Sequence, residues 1–339
     1  MNKLQSTIFF VISILLFSSC FKEDDKVEPY DRGDVIVKTV EMTQYYTYQT
    51  YFDLEEGKEV AVNNKNEWDL GFECSEEGSH ILLNTSAFMV AANTGLKDFE
   101  IVPDTSGLKW RFDQSDGNLD STAIGNWFSI DMNDTIYTHD VYLIDRGYTD
   151  LGVLRGIKKV QFENLSNGNY TFRYANPDGT DEHSFVIEKD PSSSFTNFSF
   201  SDGGKQLSLE PPFDTWDIVF TQYTTLLYTD EGDPYPYLVT GVLSNRVDVE
   251  VARDTVTPFS DMALDIVNDL EFSPILDQVG YDWKVLEGDV NSGNVSYNIV
   301  PGLSYIVKNR NGFYFKLRFT GFYNTEGQKG YPTIEFKLL

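Results

Sequence analysis

The stretch Thr50 to Trp68 reads TYFDLEEGKEVAVNNKNEW and runs on into Asp69-Leu70-Gly71-Phe72. It recurs as Thr196 to Trp216, TNFSFSDGGKQLSLEPPFDTW, which runs on into Asp217-Ile218-Val219-Phe220. Both copies place a Phe, a turn with Gly-Lys, an apolar strand, a polar turn and then Trp-Asp in the same order. Phe52 aligns with Phe198, Gly57 with Gly204, Lys58 with Lys205 and Trp68 with Trp216, at offsets of 146, 147, 147 and 148. A near-constant offset marks an internal duplication. The recurrence makes the Trp-Asp strand a scaffold element, with each Trp packed in a core and each Asp near a strand-edge turn. Ligand chemistry is then expected in the loops that follow, where the copies differ most.

Working outward, strand signals dominate. Phe52 and Leu54, then Val60 and Val62, alternate with other residues at the period of two of half-buried strands. Ile81 to Ala92 reads as a strand pair broken by Asn-Thr-Ser. Asn167-Gly168 is a hairpin signal, with Asn169 to Tyr174 as the returning strand. Near the end, Phe313, Phe315, Leu317 and Phe319 face one way, and Tyr314, Lys316, Arg318 and Thr320 the other. The best helix candidate is Met262 to Leu270, capped by Ser260 or Asp261. The pattern predicts an all-β, antiparallel fold in two tandem domains, residues 35–183 and 184–339. A chain of 339 residues, 41% hydrophobic and 15% aromatic, is long enough and apolar enough to give each a core.

The first residues set the destination. Lys3 precedes the ten-residue apolar run Ile8 to Phe17, too short to span a bilayer but suited to a signal peptide. Ser18-Ser19-Cys20 then resembles a bacterial lipobox, although Phe17 stands where Leu is usual. Residues 1–19 are read as signal peptide, Cys20 as the lipidated residue and 20–34 as a flexible tether. The acidic Glu23-Asp24-Asp25 resembles the surface-export signal of Bacteroidetes lipoproteins, which places the chain on the outer membrane facing outward. The formal charge is −27; losing residues 1–19 removes one Lys and no acid, giving −28. That charge repels phosphates and anionic lipid, so nucleic-acid partners are excluded and the membrane is met only through the lipid. With Cys20 lipidated, Cys74 stands alone and no intrachain disulfide is available.

Several motifs together resemble the HmuY-like haem-binding lipoproteins. The second copy carries Trp216-Asp217-Ile218, Tyr281-Asp282-Trp283, Tyr305-Ile306-Val307-Lys308, Lys316-Leu317-Arg318-Phe319-Thr320 and Lys329-Gly330-Tyr331-Pro332-Thr333. The first carries Val37-Lys38-Thr39-Val40, Trp68-Asp69-Leu70, Asn126-Trp127 and Lys159-Val160-Gln161-Phe162. The resemblance covers nearly all of the mature chain, one family domain per copy, whereas typical members have one. It implies an all-β fold and haem capture at the cell surface for an outer-membrane, TonB-dependent receptor. It also implies axial ligands from loops, one of them five residues after the second Trp. That position is Met132 in copy one and Gly288, which cannot ligate, in copy two. The upstream ligand position offers Met262 in copy two and neither His nor Met across 97–107 in copy one. His139, near Met132, is a further candidate, while His80 and His183 fit no ligand spacing.

No GxGxxG, P-loop, HExxH, GxSxG or CxxC pattern occurs, so no enzymatic activity is expected. Asp113 to Asp120 has some calcium-loop character but lacks EF-hand spacing. The leading function is haem or porphyrin binding. The alternative is a glycan- or protein-binding surface module whose haem site has been lost, favoured by an exposed row of Tyr and Trp.

Overall fold

Short alternating runs closed by polar turns dictate strands rather than helices. A computed structural model describes residues 33–132, 134–289 and 294–339. In chain order its strands are β1 (Ile36–Thr39), β2 (Tyr48–Asp53), β3 (Lys58–Asn64), β4 (Leu70–Glu73), β5 (Ile81–Leu83), β6 (Val90–Asn93), β7 (Phe128–Asp131), β8 (Asp134–Tyr137), β9 (Val141–Asp145), β10 (Ile157–Ser166) and β11 (Asn169–Ala175). A second series follows: β12 (His183–Glu188), β13 (Phe195–Ser199), β14 (Lys205–Leu207), β15 (Ile218–Tyr228), β16 (Pro234–Ser244), β17 (Glu250–Asp254), β18 (Lys284–Asp289), β19 (Asn294–Ile299), β20 (Ser304–Lys308), β21 (Tyr314–Tyr323) and β22 (Lys329–Leu338). Residues 1–32, with the expected signal peptide, Cys20 and most of the tether, lie outside the described residues. Among the described residues no helix is long and apolar enough to cross a membrane.

The two series build matching antiparallel sheets. One lobe holds β12-β11-β10-β9-β6, and the other holds β1-β22-β21-β20-β17. A four-stranded sheet β14-β13-β4-β5 corresponds to β3-β2-β15-β16, and the hairpin β7-β8 to β18-β19. Each strand of the first series thus has its counterpart eleven strands later. The first three strands of each series cross over. Ile36 of β1 lies opposite Phe336, and Phe52 of β2 opposite Ile218. Reciprocally, Phe172 of β11 lies opposite Phe185, and Phe198 of β13 opposite Leu70.

The division at 183/184 is therefore not the division between the cores. One core gathers Phe52 and Leu54 with Ile218, Phe220 and Phe336. The other gathers Leu70, Phe72 and Phe172 with Phe198 and Phe200. Asp34–Leu339 form one compact unit. A duplicated apolar pattern offers each strand two equivalent faces, and the pattern alone does not choose between them.

The Trp-Asp motif fixes this exchange. Asp69 N–H donates to Phe198 O (2.7 Å), and Asp217 N–H to Phe52 O (2.9 Å). The Asp69 carboxylate accepts from Phe200 N–H (2.7 Å), and the Asp217 carboxylate from Leu54 N–H (2.8 Å). Neither Asp lies at an exposed edge turn; both are fully buried. Burial of an ionised carboxylate is tolerated only with counter-charges. Arg146 and Arg155 supply them to Asp69, and Arg310 to Asp217. Asn84 and Asn245 close each copy, donating from their amides to Trp68 O (2.9 Å) and Trp216 O (2.8 Å).

Local chemistry explains the rest. Asn167 and Gly168 sit at φ 53° and 75° and join β10 to β11, as an Asn-Gly hairpin requires. Pro234 and Pro236 are accommodated because β16 is an edge strand. The helix expected over Met262 to Leu270 is instead a short 3-10 segment, Leu264–Asp269. Ala263 precedes it in extended conformation without a side-chain cap, and only Val267 of the segment is buried.

Candidate functional site

The three expected ligand residues are not brought together. Met132 follows β7 at a left-handed φ of 57° and is 92% exposed. His139 follows β8, its ring centroid 6.2 Å from that of Tyr137 and its carbonyl accepting from Gln161 Nε2 at 2.6 Å. Met262 belongs to the other lobe and is buried, its carbonyl accepting from Lys316 Nζ at 3.1 Å. Among the described residues no group of three or more His, Cys, Asp or Glu is placed to hold a metal ion.

Aromatic rings converge elsewhere. A cleft of about 520 Å³ is walled by Tyr45, Tyr46, Phe88, Tyr148 and Tyr237, with Lys65, Asp150 and Lys329 among its polar groups. The wall comes from four separate segments. The turn before β2 supplies Tyr45 and Tyr46, and the 3-10 turn Thr85–Ala87 delivers Phe88 as its C-cap. The loop after β9 supplies Tyr148, and the long hairpin β15-β16 supplies Tyr237. Tyr45, Tyr148 and Tyr237 are exposed, so their faces are open to a ligand.

Two of these rings sit on strained backbone. Tyr46 and Phe88 adopt φ 56° and 62°, a region that bulky residues rarely enter. Such outliers cost on the order of 1–3 kcal/mol each and concentrate at ligand clamps. Glycines let the two turns form. A Cβ on Gly330 would lie 2.0 Å from Thr43 O beneath the first turn, and one on Gly147 would lie 1.9 Å from Ala87 O beneath the second. Gly147→Ala is expected to destabilise the fold by more than the ~1–3 kcal/mol of left-handed strain alone, measured by urea denaturation, because the Phe88 turn must also move.

The electrostatics suit a ligand with an apolar body and anionic edges. Lys65 is buried and its ammonium donates to Gln222 Oε1. Desolvation pushes it down to about 8 while Asp150 opposes the shift, so it keeps most of its charge at neutral pH. Asp150 is itself held by Thr47 Oγ1 at 2.7 Å. Lys329 Nζ lies 5.2 Å above the Tyr46 ring. Burial, and then the neighbouring Tyr297 and Tyr323, push the Tyr46 phenol up, so it stays protonated. The cleft can stack a flat ring system, pair carboxylates with two lysines and offer phenol oxygens to a metal. Linear spacing could not reveal it, because its rings come from positions more than 190 residues apart.

Residues 45–203 match the family model described as HmuY protein. Over that span the chain is similar to the HmuY family. The match crosses residue 184 and takes in Tyr45, Tyr46, Lys65, Phe88 and Tyr148 of the cleft. Among solved structures, the chain is similar to apo PinO from Porphyromonas gingivitis, with 11% identity, 91% of this chain and 98% of that chain covered, and a TM-score of 0.29. It is similar to the apo HmuY analogue of Tannerella forsythia, with 12% identity, the same coverages of 91% and 98%, and a TM-score of 0.25. A third is an HmuY-like haem-binding protein from Bacteroides vulgatus, with 17% identity, 53% and 90% coverage, and a TM-score of 0.18. No curated protein matches the chain.

Proposed function

We propose that this chain is a surface-anchored binding protein for haem or a related porphyrin, without catalytic activity. The observation that carries the reading is the HmuY family match, which includes eight residues of the tyrosine-lined cleft. A volume of about 520 Å³ falls within the ~300–1,000 Å³ range of small-molecule sites. Tyr45, Tyr148 and Tyr237 would stack on the macrocycle, and Lys65 and Lys329 would pair with its carboxylates. A phenol oxygen is an established kind of haem ligand. Met132 and His139 stay in the proposal as alternative ligands from the β7-β8 hairpin, and Met262 as one from the second lobe. Lipidation at Cys20, an outward-facing outer-membrane position and transfer to a TonB-dependent receptor complete the reading, as the family resemblance implies.

The exposed rings favour a second reading, because open tyrosine faces beside Asp150 also suit a sugar. Haemin titration separates the two. A saturable Soret shift is expected with the mature chain under oxidising or reducing conditions, and Tyr148→Ala should weaken binding about tenfold, on the order of 1.4 kcal/mol. Met132→Ala should have the larger effect if the hairpin ligates instead. Absence of any Soret shift rejects haem, and binding of oligosaccharides by the same variant-sensitive cleft would establish the second reading.

A further inference from the structure

A second space lies where the two four-stranded sheets meet. Val219, Thr221 and Tyr223 alternate along β15, so they share one face of that strand. With Tyr51 of β2 they form one wall of a cavity of about 170 Å³. Trp68, Leu82 and Asp113 from the other lobe form the opposite wall. The cavity is separate from the tyrosine cleft, sharing only Gln222 with it.

Several polar groups of the walls are already paired within the protein. Asp113 accepts from Leu83 N–H (2.6 Å) and Ala123 N–H (2.7 Å). Gln49 donates to the Tyr51 hydroxyl (3.2 Å). Ser115 donates to Asp277 Oδ2 (2.6 Å), and Arg246 donates to Gly117 O (2.5 Å) with its guanidinium over the Phe195 ring. Two groups find no partner in the protein: the Trp68 indole Nε1–H and the Tyr223 hydroxyl. Tyr223 is 1% exposed, so bulk water does not serve it. Buried polar groups left unmatched are rare and call for an explanation.

We propose that this cavity is a binding site for a small, neutral, monocyclic molecule bearing a hydrogen-bond acceptor, such as a ring amide or ring carbonyl. Size sets the first limit, since a cavity of about 150 Å³ in another protein holds one benzene ring. The free valences set the second: both can donate, so the ligand must accept. Charge sets the third. The walls carry one carboxyl, Asp113, and one guanidinium, Arg246, so neither a net anion nor a net cation is matched, and the oxygens of Asp113 already accept backbone N–H groups. The walls supplied by Tyr51, Leu82 and Val219 receive the ring itself.

Benzamide, toluene and benzoate, titrated into the ¹⁵N-labelled mature chain, test this. The Trp68 indole ¹H–¹⁵N resonance, assigned by its loss in Trp68→Phe, is the readout. Benzamide is expected to shift it saturably, at least about tenfold more tightly than toluene or benzoate. Tyr223→Phe should weaken benzamide about fivefold while leaving the melting temperature unchanged or raised, because it removes an unsatisfied hydroxyl. No saturable shift up to the solubility of benzamide overturns the site. Equal binding of toluene, or benzamide binding untouched by Tyr223→Phe, overturns its acceptor chemistry.

Discussion

Residues 34–183 expressed alone are expected not to form a folded monomer. The cut removes β13 and β14 and nearly all of β12, which complete the sheets of the first lobe. Its core then lacks Phe198 and Phe200. Phe198 packs edge-on to Phe172 with centroids 5.0 Å apart, and lies 4.8 Å from Phe185, which is also lost. Truncating a single buried Phe costs about 3–5 kcal/mol, and a whole domain is stable by only ~5–15 kcal/mol. The same fragment keeps β1–β3 without their partners, so Phe52 loses Phe220 and Phe336. Near-UV circular dichroism with sedimentation should show an unfolded chain, or a dimer in which two copies exchange their first strands. Co-expression with residues 184–339 should restore a one-to-one complex. A folded monomer of 34–183 would show that β1–β3 can close on their own lobe, and would sink the exchange as a requirement for folding.

That exchange marks the limit of what the sequence discloses. The duplication was legible because Phe52, Lys58 and Trp68 recur at offsets of 146 to 148, and strands such as β11, β12 and β22 were legible because their burial alternates with period two. Partner choice was not, since β2 and β13 carry the same pattern and either would satisfy either sheet. The role of the motif's Asp was also misread. A carboxylate beside Trp reads as a turn residue until Arg146, Arg155 and Arg310 are seen to reach it from distant loops. Asn84 and Asn245 escaped notice for a geometric reason. They lie 161 residues apart instead of 148, because β15 and β16 form a hairpin of eleven-residue strands where β4 and β5 have four and three. The same extension carries Tyr237 into the cleft, so the insertion that hid the symmetry also built part of the candidate site. Spacing from Trp127 selected Met132, but spacing carries no information on convergence, and the structure places Met132, His139 and Met262 apart.

Asp69→Ala should be among the most destabilising single substitutions in the chain, and more so than Asp217→Ala. The Asp69 carboxylate accepts Arg146 Nε (3.0 Å) and Nη2 (2.9 Å) and Phe200 N–H (2.7 Å), and Arg155 Nη2 lies 2.8 Å away. Its removal leaves two largely buried guanidiniums and a buried N–H without their acceptor. Breaking a buried pair on one side costs about 3–5 kcal/mol because the remaining charge stays desolvated. The Asp217 site is less exposed to this penalty. It holds one guanidinium, Arg310, and after Asp217→Ala that group would still face Asp53 Oδ2 at 3.2 Å. Both carboxylates also tether the exchanged strands, Asp69 through Phe200 and Asp217 through Leu54. Loss of either should therefore loosen the crossover as well as the charge pair. Urea denaturation at neutral pH should rank wild type above Asp217→Ala and Asp217→Ala above Asp69→Ala. Amide exchange should rise first along β13 in Asp69→Ala and along β2 in Asp217→Ala. The reverse stability order, or exchange confined to the arginine loops, would mean that these carboxylates neutralise charge without holding the two halves together.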